Sequence, residues 1–249
     1  MTRCISFISR ISGSMGLSEA KNLLQKSGTE IPENFTVTAH TGAMLTPHNS
    51  MKSVSTSIVV GADIVEIDVT FRKDGTVVII HSDSPADNEG VLFAEVADKL
   101  VESSTVRANL DLKAFWNTAG VQEILLSHNL LERAFYTGVF PENVEQVRKG
   151  SPLVPYYING SIDKTNMDNE EFLHAFAKEI TDLGAIGLNT HFSCINKKVT
   201  DIMHDHGLLV SAWTVNKRSD QCRILSYGVN NITTTNPVKL RTILDAVKK

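Results

Sequence analysis

Glu66 and Asp68 stand two residues apart in an apolar run, DIVEIDV (63–69). In a strand, side chains alternate between faces, so these two carboxylates point together while Val65, Ile67 and Val69 point the other way. Two neighbouring acids in an apolar setting repel each other and lose hydration, which is costly unless a cation lies between them. The plainer alternative is that one acid pairs with a lysine or caps a loop. A related pattern returns in VRANLDL (106–112) and the residue after it, where Asn109, Asp111 and Lys113 share a face. Asp111 would complete a three-carboxylate oxygen site. Lys113 would then either meet an anionic substrate beside a metal or simply pair with Asp111. Oxygen donors without cysteine or paired histidine favour one divalent cation, Mg²⁺ or Ca²⁺, over zinc.

Two histidines stand where they could move protons. His40 ends the run FTVTAH (35–40), and His81 ends VVIIH (77–81). Between 63–69 and 77–81 lies FRKDGT, with no room for a helix, and Asp74-Gly75 is a strong tight-turn signal. Reflecting the chain about residue 74 places His81 beside Ile67, next to Glu66 and Asp68. An imidazole that titrates near neutrality can take a proton from a nucleophile, and a second can give one to a leaving group. A histidine at a strand end is also often just a hydrogen-bonded structural residue.

These side chains need a scaffold that gathers strand ends. Eight β-like runs follow one another: 35–40, 63–69, 106–112, 133–138, 153–158, 184–189, 208–215 and 230–235. Helical patterns separate most of them, at 117–130, 141–149, 168–183, 196–206, 217–227 and 236–248, with Asp168 expected to cap the third of these. The rhythm predicts a TIM (β/α)8 barrel with an extra β-hairpin strand after the second strand. A doubly wound sheet is the runner-up, but no glycine-rich phosphate loop follows the first strand. Residues 34–249 read as a single barrel domain. Residues 1–33 read as a leader outside it, containing a short helix over 17–27.

Composition removes other classes. Of 249 residues, 42% are hydrophobic and 21% charged, which excludes disorder. A net charge of -4 gives no basic field for a nucleic-acid partner. Cys4, Cys194 and Cys222 show no CxxC spacing and suit a reducing, cytoplasmic setting. No run approaches the ~20 apolar residues of a membrane span, so stable membrane insertion is not expected. The oligomeric state stays open.

The motifs together resemble the glycerophosphodiester phosphodiesterase family. That family opens with a strand ending in His-Arg-Gly, a Pro-Glu-Asn-Thr helix start, Gly-Ala-Asp-x-x-Glu-x-Asp-Val, a Lys-Asp-Gly turn and a strand ending in His-Asp. This chain reads AHTG (39–42), TPHNS (46–50), GADIVEIDV (61–69), KDG (73–75) and VVIIHSD (77–83). NLDLK (109–113) resembles the family's Glu-x-Lys strand, AWTVN (212–216) its Trp-Thr-Val-Asn strand and GVNNITTTNP (228–237) its closing segment. The resemblance implies a (β/α)8 barrel that hydrolyses a small-molecule phosphodiester to glycerol 3-phosphate and an alcohol. It implies Glu66, Asp68 and Asp111 as metal ligands, His40 and His81 as the acid/base pair, and Lys113 on the phosphate. Trp213 would either wall the glycerol or simply pack at a strand end.

The chain departs from the pattern at several places. Thr41 replaces the arginine expected to hold phosphate, His48 replaces a glutamate, Ser82 an aspartate, and Asp111 is one methylene shorter than the family's acid. Thr41 and His48 thereby become candidate substrate contacts, His48 otherwise filling space at a helix start. The segment 82–105 is short for the family's glycerol-side insertion. Some of these features are similar to sphingomyelinase D-like phospholipases, including the Asp-Leu-Lys strand and WTVNKR (213–218), although their cysteine-rich loop has no counterpart in HSDSPADNEG (81–90). A lipid phosphodiesterase and a catalytically weak barrel binding phosphorylated ligands are therefore the alternatives.

Overall fold

Runs rich in Val, Ile and Leu whose alternate residues are polar suit strands that face helices outside and a filled barrel inside. In the computed structural model, which describes residues 15–28 and 30–248, they do both. The strands are β1 (Thr36–Ala39), β2 (Ile64–Phe71), β3 (Val77–Ile79), β4 (Val91–Leu92), β5 (Arg107–Leu112), β6 (Ala134–Val139), β7 (Tyr156–Asn159), β8 (Gly187–His191), β9 (Leu209–Trp213) and β10 (Asn231–Thr234). Eight of them run parallel in the order β1-β2-β5-β6-β7-β8-β9-β10, and β1 pairs with both β2 and β10, closing the barrel.

Strands β3 and β4 stand outside the ring as an antiparallel extension of β2. Val69 pairs with Ile79, Thr70 with Val78 and Phe71 with Val77, a register that mirrors the chain about residue 74. Gly75 takes φ +90°, and the Thr76 N–H donates to Asp74 Oδ1 at 2.9 Å, so the turn forms where the Asp-Gly pair predicts it. The short β4 extends the excursion beyond the one strand anticipated.

The helices are α1 (Leu17–Ser27), α2 (Met51–Val59), α3 (Phe93–Val101), α4 (Thr118–Ser127), α5 (Val144–Gly150), α6 (Glu170–Asp182), α7 (Lys197–Asp205), α8 (Arg218–Leu225) and α9 (Pro237–Lys248). Their apolar faces and the outward strand residues, Val65, Ile67, Val69, Leu110 and Val210 among them, form one buried cluster around the barrel. Helix α6 begins one residue later than Asp168 would cap: Asn169 is the N-cap, accepting from Phe172 N at 3.2 Å. Asp168 instead accepts from Asn196 Nδ2 at 3.0 Å, because from its place outside the turn it faces the next loop.

Helix α1, set apart above as leader, packs against α8 and α9 and buries Ala20 and Leu24 in the common core. The Arg218 guanidinium on α8 donates to the Met15 carbonyl at 2.7 Å. The earlier part of that leader and Cys4 lie outside the described residues. Among the described residues, no helix is long and apolar enough to cross a membrane.

Inside the barrel the chemistry is layered. Ile64, Phe135 and Tyr157 form an apolar plug near the strands' N-terminal ends, flanked by Ile186 and Leu209. Two residues further along each strand the inward positions turn polar: Thr38, Glu66, Asn109, Thr137, Asn159, Asn189, Ser211 and Thr233. Beyond these, at the C-terminal ends where barrel enzymes assemble their chemistry, lie His40, Asp68, Asp111 and Trp213.

Candidate active site

A cavity of about 720 Å³ opens at the C-terminal ends of the strands. His40, His48, Glu66, Asp68, His81, Asp111, Lys113 and Trp213 all line it. Of the residues singled out in the sequence, only Thr41 does not.

Strand β2 delivers Glu66 and Asp68 to the inner face, as the alternation requires, and β5 sets Asp111 directly beside Asp68 in register. One oxygen from each of the three carboxylates lies within 4.8 Å of the others. Glu66 and Asp68 are buried and Asp111 is partly so. Burial drives the Glu66 carboxyl well above its usual range, and the charges of Asp68 and Asp111 push it further the same way. Burial also raises Asp68, but the Asn49 hydrogen bond and the Lys113 ammonium outweigh it and hold Asp68 below the ordinary value. Lys113 lies 3.0 Å from Asp68 Oδ1 and pairs with Asp111 Oδ2. Burial alone would lower its pKa; the two acids override that and push it up to about 12. Three carboxylates against one ammonium leave an uncompensated negative pocket of hard oxygen donors, a donor set that fits a Mg²⁺ or Ca²⁺ ion.

The histidines approach from two directions. His40 extends from β1, with Nε2 4.0 Å from Glu66 Oε2. Its Nδ1 lies 2.7 Å from the Thr41 carbonyl, which can only accept, so Nδ1 carries a proton and holds the ring through that bond. His81 comes back on the hairpin, with Nδ1 3.2 Å from Asp68 Oδ2. Its side chain is 75% exposed against 30% for His40, so one imidazole is set into the wall and the other stands over the mouth. His48 is exposed, its ring edge-on to His40 with centroids 5.9 Å apart.

Thr41 corrects one expectation. It is 1% exposed and faces the loop, not the cavity. Its backbone N–H donates to Glu66 Oε2 at 2.8 Å, and its hydroxyl accepts from the Asn49 N–H at 2.6 Å. The missing arginine is therefore replaced by a strut, with no new substrate contact in its place.

Asn49 is the functional residue that the sequence reading passed over. Its Nδ2 donates to Asp68 Oδ2 at 2.7 Å, and its Oδ1 accepts from the Asp68 N–H at 3.0 Å, holding the acid at both ends. The backbone at Asn49 has φ +46°, a conformation that Asn tolerates better than most residues. The available signal was the Asn of TPHNS at the family's Pro-Glu-Asn position. Gly138 was also missed. At φ +74° its missing Cβ would lie 2.5 Å from the Leu112 carbonyl and 3.1 Å from Asp111 Oδ1, so only glycine lets β6 pass this close to the acid.

Leu112, Phe115, Phe140 and Trp213 give the cavity an apolar side, while Asn109, Asn159 and Asn189 give it an amide floor. Trp213 is 37% exposed and packs edge-on against His191, which itself accepts from Ser193 N and stays outside the cavity. Asn216 caps no helix; it accepts from Thr234 Oγ1 and Thr235 N, tying the β9 loop to β10.

The chain is similar to several known proteins. The model of the glycerophosphoryl diester phosphodiesterase family matches residues 40–89, the stretch from His40 through the hairpin that carries His81. A glycerophosphodiester phosphodiesterase of Bacillus subtilis (strain 168) is 22% identical over 253 residues, covering 83% of this chain and 85% of its own. Among solved structures, a glycerophosphodiester phosphodiesterase of Parabacteroides distasonis superposes with a TM-score of 0.71 at 18% identity, covering 87% of this chain and 99% of that one. A phosphodiesterase of Oleispira antarctica, solved with the product sn-glycerol-3-phosphate, gives 0.63 at 19% identity, covering 86% and 97%. The solved structures share the barrel, while the matched segment carries the motif at its mouth. Over these spans the chain is similar to the glycerophosphodiester phosphodiesterase family.

Proposed function

We propose that this protein hydrolyses glycerophosphodiesters to glycerol 3-phosphate and an alcohol, with His40 and His81 as the acid/base pair. The observation that carries the reading is the convergence of both histidines on one carboxylate cluster, each tied at Nδ1 and each with Nε2 left for chemistry. One Nε2 takes the proton of the attacking oxygen, and the other, protonated, returns one to the departing alcohol. The Asp68 carboxylate orients the His81 ring through Nδ1, and the Thr41 carbonyl does the same for His40.

Glu66, Asp68 and Asp111 would hold one divalent cation, Mg²⁺ or Ca²⁺, which when bound neutralises charge on the non-bridging phosphate oxygens. Lys113 adds a second positive charge against the phosphate, and Trp213 covers the substrate from the side. The relatives and solved structures named above favour glycerophosphodiesters over the lipid substrates of sphingomyelinase D-like enzymes.

The test is release of glycerol 3-phosphate from glycerophosphocholine and glycerophosphoethanolamine with Mg²⁺, with Ca²⁺ and with EDTA. Release that needs a metal and disappears in His40→Ala and Glu66→Ala is the expected result. No release with either metal overturns the proposal, and release unaffected by EDTA removes the cation from it.

A further inference from the structure

Across the barrel from the carboxylates, Asn159 on β7 and Asn189 on β8 are register partners, and both line the cavity. Their amide orientations are fixed by a chain of donors. The Gly138 N–H donates to Asn159 Oδ1 at 3.0 Å, and a backbone N–H can be met only by the oxygen end of an amide. Asn189 must then turn its nitrogen to that same oxygen, 2.9 Å away.

Fixing both amides leaves two atoms over. Asn159 Nδ2 has no acceptor among the described residues, and Asn189 Oδ1 is buried without a donor although Asn189 is only 5% exposed. A buried amide oxygen left unpaired is costly, and native structures rarely keep one without a use. A free donor on one amide and a free acceptor on its neighbour are what a single alcohol hydroxyl requires. The hydroxyl accepts from Asn159 Nδ2 and donates to Asn189 Oδ1. A phosphate oxygen without a proton satisfies only the first, and a quaternary ammonium satisfies neither.

We propose that Asn159 and Asn189 form a hydroxyl-recognition subsite, which binds the polyol part of the substrate while the phosphate lies against the histidine and carboxylate wall. This rests on the phosphodiesterase reading above. The hydroxyl belongs to the glycerol half of the diester or to its alcohol half, and the chemistry of the subsite is the same for both.

Three substrates separate these sources: glycerophosphocholine, with hydroxyls on one half only, glycerophosphoglycerol, with hydroxyls on both, and bis(p-nitrophenyl) phosphate, with none. In Asn189→Leu the preference in kcat/KM for a glycerol-bearing diester over the hydroxyl-free one falls about tenfold, the scale of one lost hydrogen bond. A fall with both glycerol diesters assigns the hydroxyl to the glycerol half, and a fall with glycerophosphoglycerol alone assigns it to the alcohol half. An equal loss on all three substrates overturns the subsite, since a purely structural role acts in that way.

A binding measurement keeps the test apart from turnover. Calorimetry on the wild-type chain compares sn-glycerol 3-phosphate with methyl phosphate, and Asn159→Leu repeats the comparison beside Asn189→Leu should either variant fail to fold. Tighter binding of glycerol 3-phosphate that is lost in the variant supports the subsite even if no diester is cleaved. Equal affinity of the wild type for the two phosphates overturns it, whatever the activity.

Discussion

The two walls of the barrel solve the problem of buried polarity in opposite ways. On the β2–β5 side the inward residues toward the mouth include Glu66, Asp68 and Asp111, whose mutual repulsion is only partly relieved by Lys113. On the β9–β10 side they are neutral and satisfy one another. Asn231 Nδ2 donates to Thr38 Oγ1 at 2.7 Å and to Thr36 Oγ1 at 2.9 Å, while its Oδ1 accepts from Ser211 Oγ at 3.1 Å. A closed neutral network of this kind specifies and stiffens a core. The charged wall is instead held in a state that a ligand can improve. Function gathers where the polar accounting is left open.

That contrast can be broken at graded cost. His40→Ala or His81→Ala removes a proton carrier and lowers kcat by roughly 10²–10⁴-fold, read from glycerol 3-phosphate release. Asn49→Ala leaves Asp68 without its two-point support and lowers metal affinity or turnover about 10–100-fold, checked by titrating activity with Mg²⁺ and Ca²⁺. Asn231→Ala on the neutral wall costs about 1–3 kcal/mol in urea unfolding, because its buried partners lose their bonds. Its turnover falls far less than that of His40→Ala, and comparable losses in the two would erase the distinction between the walls.

The smallest effect has the opposite sign. The folded-state pKa of Glu66 lies above its unfolded value, so the native chain holds that proton more tightly. In EDTA, stability therefore rises as pH falls through that raised value and levels off below the unfolded one. Glu66→Gln removes this rise and, at a pH above the raised value, lifts Tm by about 2–4 °C, the shift expected for roughly 1 kcal/mol in a chain of this size. Thermal scans at several pH values check both. Asp68 opposes the trend at lower pH, since its depressed pKa contributes stability that is lost as pH falls through it.

Local spacing made much of the charged wall legible. The two-residue offset of Glu66 and Asp68 placed both on one face, and the Asp74-Gly75 turn brought His81 to Asp68 by reflection alone. Lys113 forms the ion pair with Asp111 that was one of its two expected roles, and it also lines the cavity. Asn49 escaped because its work depends on a left-handed loop that folds back onto β2, which no periodicity encodes. Asn159, Asn189 and Asn231 escaped for another reason. A polar residue on an isolated strand reads as solvent-facing, and only closure of the ring converts it into an interior one. Thr41 departs from expectation because a site contact was inferred where an arginine is missing, whereas its side chain turns to Asn49 and its backbone N–H braces Glu66.

Barrel closure also has a consequence in time. The last strand, β10, pairs with the first, and α1 rests on α8 and α9 near the other end of the chain. About 200 residues separate α1 from α8, so at 5–20 residues per second the ribosome takes roughly 10–40 s to supply that partner. Until then the apolar face of α1 and one edge of β1 have nothing native to rest against. Helix α1 and that edge of β1 therefore wait unshielded while the residues between them and their partners are made, and the mouth that gathers His40 with the acids becomes whole only once β10 pairs with β1.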